Sequence, residues 1–360
     1  MSSARVTMKD IAAQMGVSVN TVHKAVTGKA GVSDVLRAQI MAKADEMGYQ
    51  RNVAASNLRR KEVHVVACLP SSEREGSYFY SYLWRGCERF VDETRDMGLE
   101  FESLPFAPGG YAGVLESVDA RLQAGEKIDG LLAYVPTDDR SCELLEQIAD
   151  AGVTVELVDG DKAQVSRLGA SISDYAAAGH IMAEQALNLM RFAPSDSRVL
   201  LLAGDPYTDS HYLTARSFHE RLRGADIPFA VDDLTGAHAQ VDELAASLRE
   251  RLEGDAAPKL ICSVFAVGSE IVADALVETG RARQIMVIGN DLFPESAAAL
   301  ERGIFTNIVY KDAAGLAYRA AKTLGDYLLL GMAPAEPVQK GSVELIFASN
   351  LDHYRAIAGI

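Results

Sequence analysis

The stretch Thr7-Met8-Lys9-Asp10-Ile11-Ala12-Ala13-Gln14-Met15-Gly16-Val17-Ser18-Val19-Asn20-Thr21-Val22-His23-Lys24-Ala25-Val26 holds two short apolar-periodic segments joined at a glycine. Ile11 and Met15 stand four apart, as do Val22 and Val26, so each segment gathers its apolar residues on one helical face. Thr7 is placed as an N-cap, with Asp10 at capping-box spacing. Gly16 supplies the turn, and Ser18 is placed to cap the second segment. The outer face of that segment is polar: Asn20, Thr21, His23 and Lys24, with Thr27-Gly28 as its end. Ser33 opens a third helix with Leu36, Ile40 and Ala44 inward and Gly48 as the stop. Two helices across a tight turn, the second with a hydrogen-bonding outer face, form a helix-turn-helix pattern. In it the start of the second helix enters the major groove. There Asn20 can pair bidentately with adenine and Lys24 with guanine, while Thr21 and the first-turn amides suit phosphate oxygens. The same periodicity also describes a small amphipathic bundle with a solvated polar face.

Charge separates the two readings of this head. The 360-residue chain has a formal net charge of −15. Residues 1–61, however, hold ten Lys/Arg and four Asp/Glu, a balance of +6. The other 299 residues hold 25 basic and 46 acidic groups, a balance of −21. A basic head on an acidic body is expected where one small module meets phosphates and the remainder is repelled by them.

Asn52 to Lys61 reads as a linker, with Ala54, Ala55 and Leu58 as a short apolar stripe before Arg59-Arg60-Lys61. A helix below roughly 12–15 residues is marginal in water. The linker is therefore either disordered alone and helical when two copies meet on DNA, or a basic tether that adds phosphate contacts.

From Val63 onward, short apolar runs alternate with helical stretches. The strands are expected at 63–69, 99–104, 128–135, 153–158, 198–203, 259–264, 285–288 and 307–310. Strand–helix alternation implies parallel sheets covered by helices on both faces. Eight such strands suit two similar lobes better than one sheet. Ligands in such folds sit at the carboxyl ends of strands and between facing lobes.

Several function classes are excluded. There is no G-x-S-x-G elbow, no H-E-x-x-H and no G-x-x-x-x-G-K-[ST] loop, so no enzyme, catalytic residue or cofactor is expected. Cys68, Cys87, Cys142 and Cys262 form no C-x-x-C pair, so no metal site is expected. The polar start of the chain and the lack of a long apolar run argue for a cytoplasmic protein without membrane contact.

The residues of the head say more than their pattern. Thr7 to Ala12, Gly16 to Val22, Gly28-Lys29, Val32-Ser33, Gly48-Tyr49, Asn52, Ala55 and Leu58 together resemble the lactose/galactose repressor (LacI/GalR) family, without a gap. The resemblance implies a DNA-binding transcriptional regulator, a repressor by default, acting as a homodimer on double-stranded operator DNA. It implies base reading by Val19, Asn20 and Lys24 and backbone contact by Thr21 and His23. Thr7, Asn52 and Ala55 join the DNA-binding set, and Leu58 is implied as a hinge leucine that wedges into the minor groove. Such a wedge kinks the duplex. His23-Lys24 in place of Ser-Arg, Arg51 in place of Pro, and the apolar Val19 set this head apart from the common pattern.

The body resembles, more loosely, the two-lobed periplasmic sugar-binding fold that follows such a head: two doubly wound parallel sheets (periplasmic-binding-protein type I). The landmarks are Phe79-Tyr80, Arg85-Gly86, Asp174 with Gly179, Asp291 to Glu295, and Ser349-Asn350-Leu351. The implied domains are 1–48 for the helix-turn-helix, 49–61 for the hinge and 62–360 for effector binding and dimerisation. The first lobe is expected over 62–190 and 309–335, the second over 191–308 and 336–360. The resemblance assigns a sugar or sugar-like effector to Phe79, Tyr80, Asp174 and Asp291, with His211, Phe265 and Lys311 standing in for polar groups usual in the family. Thr214 replaces an arginine, Val264-Phe265 replaces Asn-Asp and Lys311 replaces a Gln. A less hydroxylated, aromatic-linked or anionic ligand is the expected consequence. Read as residues alone, Asp174 and Asp291 are also suited to cap the helices that follow them, and the aromatics from Tyr78 to Tyr82 suit a core.

Overall fold

In the computed structural model, which describes residues 8–26, 31–47, 62–73, 78–225, 227, 229–236, 240–253 and 257–360, the two periodic segments of the head are helices. They are α1 (Met8–Met15) and α2 (Val19–Val26), followed by α3 (Asp34–Glu46). Gly16 turns the chain at φ 64°, a conformation without Cβ penalty only for glycine. Ser18 caps α2 by accepting from the Thr21 amide at 3.0 Å. Ile11, Ala12, Val22, Ala25, Ile40 and Ala44 form the core, with Met15, Val26 and Leu36 packed partly buried against it. Arg37 of α3 donates to the carbonyl oxygens of Lys24 at 3.1 Å and Ala25 at 2.9 Å. A cation thus meets the last carbonyls of α2, which its own helix leaves unpaired. Thr7, the Thr27-Gly28 stop and the hinge residues Asn52, Ala55 and Leu58 lie outside the described residues.

The chain divides at Lys61–Glu62, and the second unit holds two six-stranded sheets. The first contains β1 (Val63–Cys68), β2 (Leu99–Ser103), β3 (Gly130–Tyr134), β4 (Thr154–Val158), β5 (Gly169–Ile172) and β11 (Val338–Lys340), in the order β11-β5-β4-β3-β1-β2. The second contains β6 (Arg198–Gly204), β7 (Ala230–Thr235), β8 (Leu260–Ser263), β9 (Met286–Asn290), β10 (Asn307–Lys311) and β12 (Val343–Ile346), in the order β12-β10-β9-β8-β6-β7. Among the described residues, all strand pairings are parallel except β10 with β12. The helices are α4 (Tyr78–Thr94), α5 (Tyr111–Gln123), α6 (Asp139–Asp150), α7 (Tyr175–Leu189), α8 (Asp209–Arg223), α9 (Val241–Leu252), α10 (Ala266–Glu278), α11 (Pro294–Glu301), α12 (Ala313–Leu330) and α13 (Leu351–Ala358).

The lobes exchange chain at different points from those read in the sequence. Helix α7 packs on α8, β10 and β12, so it belongs to the second lobe, not the first. Strand β10 also belongs to the second lobe, whereas β11 belongs to the first. The crossings therefore lie between β5 and α7, between β10 and α12, and between β11 and β12, rather than near 190, 308 and 335. Alternation of strand and helix does not reveal which sheet a helix covers, and that is where the expected limits slipped.

Two helix pairs approach backbone to backbone. A Cβ at Gly86 of α4 would overlap the carbonyl oxygen of Ala314 on α12, and one at Gly179 of α7 would overlap that of Thr214 on α8. Each lobe thus has one close helix crossing that only glycine admits.

Candidate functional site

Helix α2 carries five expected contact residues: Val19, Asn20, Thr21, His23 and Lys24. Val19 is 43% exposed. The Thr21 hydroxyl lies 2.8 Å from that of Ser18, at the first turn. Lys24 is half-buried beside Gly31. The side chains of Asn20 and His23 are not among those described.

In the second unit, the carboxyl ends of β4 and β9 each deliver an aspartate in the left-handed conformation: Asp159 at φ 68° and Asp291 at φ 61°. Asp159 is 7% exposed. It accepts from the hydroxyls of Tyr134 at 2.8 Å, Tyr175 at 2.7 Å and Ser173 at 2.9 Å. Burial raises its pKa to about 6 against the pull of those three hydrogen bonds, and the Lys311 charge also draws it down. Tyr80 meets the edge of Tyr134 with ring centroids 6.1 Å apart, and Phe79 meets Tyr80 at the same distance.

On the second lobe, Lys311 is 5% exposed. Its Nζ lies 2.7 Å from Asn290 Oδ1 and 2.8 Å from Asp291 Oδ1. Asn290 Nδ2 donates to the other Asp291 oxygen at 2.7 Å. The ammonium is thus neutralised within its own lobe, and Asp291 is held by its neighbours rather than capping the next helix. Helix α11 instead starts at Pro294, with the Phe293 amide donating to Ser296 Oγ at 2.9 Å. Phe265 precedes α10 and is buried against His211, 4.7 Å between ring centroids. The Asp205 amide donates to His211 Nδ1 at 3.0 Å, which leaves Nε2 to carry the proton of the neutral ring.

Contacts also run directly between the two lobes. Tyr78 stacks on Phe293 at 4.2 Å and donates to Glu270 at 3.3 Å. Arg85 donates to the carbonyls of Ala358 at 3.0 Å and Gly359 at 3.3 Å. Lys162 faces Asp209 at 4.0 Å.

Of the seven expected effector residues, the structure brings together Asp291 with Lys311, His211 with Phe265, and Phe79 with Tyr80. Asp174 behaves differently. It caps α7 by accepting from the Ala177 amide at 3.0 Å and pairs with Lys340 at 3.0 Å, at a crossing between the lobes. Burial pushes its carboxyl up, but Ala177 and Lys340 together hold it below the usual range. Thr214 is buried and donates to the Ser210 carbonyl at 2.8 Å, so its hydroxyl proton is already taken. Asp159, Asn290, Tyr134, Tyr175 and Ser173 escaped the sequence reading. Asp159 follows the expected strand 153–158 directly, so the rule that singled out Asp291 also finds it.

Comparison with known proteins agrees with both units. Residues 7–52 match the model for bacterial regulatory proteins of the lacI family, and residues 71–331 match that for a periplasmic binding protein domain. The chain is 22% identical over 284 residues to the HTH-type transcriptional regulator DegA of Bacillus subtilis, covering 79% of each chain. It is 30% identical over 205 residues to the HTH-type transcriptional regulator reg1 of Streptomyces lividans, covering 53% of this chain and 56% of that one. Among solved structures, GanP, a glucose-galactose binding protein from Geobacillus stearothermophilus, superposes with a TM-score of 0.67 at 17% identity, over 81% of this chain and 99% of that one. No described helix is long and apolar enough to cross a membrane. With a lacI-type helix-turn-helix in front of a periplasmic binding protein domain, this chain belongs to the LacI family of DNA-binding transcriptional regulators.

Proposed function

We propose that this regulator is a cytoplasmic repressor that binds a pseudo-palindromic operator as a homodimer and responds to a sugar or sugar-like effector held between its lobes. Asn20 and Lys24 read base edges, and the exposed Val19 suits a thymine methyl. Thr21 and His23 position the helix on phosphates, and Thr7, Asn52, Ala55 and Leu58 complete the DNA contacts. Effector binding draws the lobes together, and this changes how the partner's hinge is presented, a coupling through two global states.

The observation that carries the effector reading is the pair of left-handed aspartates, one from each lobe, each directly beyond a strand end. A non-glycine residue in this conformation costs about 1–3 kcal/mol and tends to mark ligand sites. Carboxylates are strong hydroxyl acceptors, and Phe79, Tyr80 and Phe265 provide apolar faces for a ring. Lys311 is already neutralised by Asp291, so an anionic effector finds no unpaired cation there. With Thr214 turned to its own helix, a sparingly hydroxylated or aryl-linked sugar fits better than a bare hexose. The fold shared with the glucose-galactose binding protein supports the sugar class.

The test is a panel of monosaccharides, disaccharides and aryl glycosides added to the full chain. A ligand that binds only the folded state raises the melting temperature. The effector should do so and also change affinity for operator DNA. A panel in which no compound does both refutes the sugar assignment.

A further inference from the structure

Outside the cleft, the second lobe carries a cavity of about 620 Å³ between α8 and the edge strand β7. Small-molecule sites commonly measure roughly 300–1,000 Å³. Its origin is topological. β7 ends its sheet, and α8 packs on α7 and β6, so Val231, Asp233 and Thr235 on one face of β7 stay only partly covered. Helix α8 turns a second face to the same space: Tyr212, Ala215, Arg216, His219, Leu222 and Arg223, at helical spacing. Leu222 and Phe229 are buried at the apolar base.

The polar groups are few and unequal in sign. His219 Nε2 lies 3.0 Å from both oxygens of Asp233 and so ties α8 to β7. Arg216 is 5.5 Å from the Tyr212 ring centre and only loosely paired with Glu220 at 3.4 Å. Arg223 is exposed and forms no ion pair among the described residues. Two guanidinium groups thus border an apolar recess on a body that carries −21. That charge would repel an anion elsewhere, but these two cations invite one here.

We propose that this recess is a second small-molecule site, distinct from the inter-lobe cleft, for an amphipathic monoanion: a flat apolar or aromatic body bearing one carboxylate or sulfonate. The ring enters between Leu222, Phe229 and Val231, and the anion meets Arg216 and Arg223. The site is not remote from the cleft in its consequences. Gly204 borders the recess, and a side chain at that position would collide with His211 and Phe265 of the cleft wall. Helix α8 therefore carries His211 to the cleft and lines the second site, so an occupant of one bears on the other.

The probe is 8-anilinonaphthalene-1-sulfonate, an aromatic monoanion of the proposed class, titrated into the full chain. The expected result is saturable, one-to-one, blue-shifted fluorescence with a rise in melting temperature. Ala215→Trp, which fills the recess, should abolish it. Arg223→Gln should weaken it about fivefold to tenfold through the loss of a charge-assisted contact. Absence of saturable binding overturns the proposal, as does binding untouched by both variants. If Ala215→Trp instead changes the oligomeric state in sedimentation, the recess is an interface between copies and the proposal also fails.

Discussion

At the scale of single residues, the chain buries ionisable groups in two ways. Lys311 is held by Asp291 and Asn290 with almost no exposure. Removing one partner of a buried pair leaves the other uncompensated, at about 3–5 kcal/mol, whereas removing both is far cheaper. Asp291→Ala should therefore destabilise by about that amount, and adding Lys311→Met should restore most of it. Urea denaturation of the two single variants and the double variant reads the coupling, and strictly additive values would show that the pair is not coupled. Glu156 is the opposite case. It is fully buried in β4, neither oxygen has a hydrogen-bond partner among the described residues, and burial raises its pKa from 4.5 to about 8. Its folded-state pKa lies above its unfolded one, so the folded form binds the proton more tightly. Its contribution is fully present below 4.5 and is lost as pH rises toward 8. Glu156→Gln should remove that loss and raise the melting temperature relative to wild type at the alkaline end only. Parallel curves for the two proteins across this window would mean that Glu156 ionises freely in the fold.

At the scale of elements, one cation links two helices of the head. Arg37 reaches from α3 to the last carbonyls of α2, so it fixes the helix that presents Val19 to Lys24. Hydrogen bonds to charged groups contribute roughly 1.5–3 kcal/mol. Arg37→Ala should destabilise the head on that scale and weaken operator binding evenly across operator variants, because no base contact is altered. Lys24→Ala should behave differently, costing about 1–3 kcal/mol at one base pair per half-site and relaxing the preference there. Affinities measured over a set of single-base operator variants separate the two effects. A uniform loss for Lys24→Ala would reassign it to phosphate. The glycine crossings at Gly86 and Gly179 belong to the same scale. Each removes a side chain so that two helices can meet at their backbones, and neither requirement is visible in a list of hydrophobic positions.

At the scale of the whole molecule, the split between a +6 head and a −21 body sets where DNA can dock. Phosphate neutralisation makes affinity fall steeply with salt. The full chain should show that dependence in operator binding, whereas residues 62–360 should show no operator binding at any salt concentration. Retention of specific binding by the truncated piece in a gel-shift titration would place the DNA-reading surface in the wrong unit. Linkage adds a second expectation within the same assay. A cleft ligand that lowers operator affinity must itself bind more weakly to the operator complex, by the same factor.

How much of this was legible beforehand follows from the range of the forces involved. The head helices rest on apolar residues four apart, a glycine turn and a serine cap, so Ile11, Met15, Gly16, Ser18 and Val22 mark the first two and Leu36, Ile40 and Ala44 the third. Strands β1 to β4, β6 and β8 to β10 are likewise visible as apolar runs, β2 among them although it ends its sheet. β5, β7, β11 and β12 are not, because they are short or lie toward the sheet edges and carry small or charged residues such as Gly169, Asp232 and Asp233. Asp291 and Lys311 could be marked as special from their places after strands. Their pairing with each other and with Asn290 could not, since it depends on β9 lying beside β10. As sequence, Asp174 suits a ligand or a cap with equal reason; its cap on the Ala177 amide is local, whereas its pairing with Lys340, 166 residues away, is not. The sequence alone determined the helix-turn-helix, the alternating body and the charge split, because these are local or compositional. Tertiary structure alone decided which helix covers which sheet, which carboxylates are buried, and which cations are already taken, because those depend on groups that only the folded chain brings within hydrogen-bonding distance.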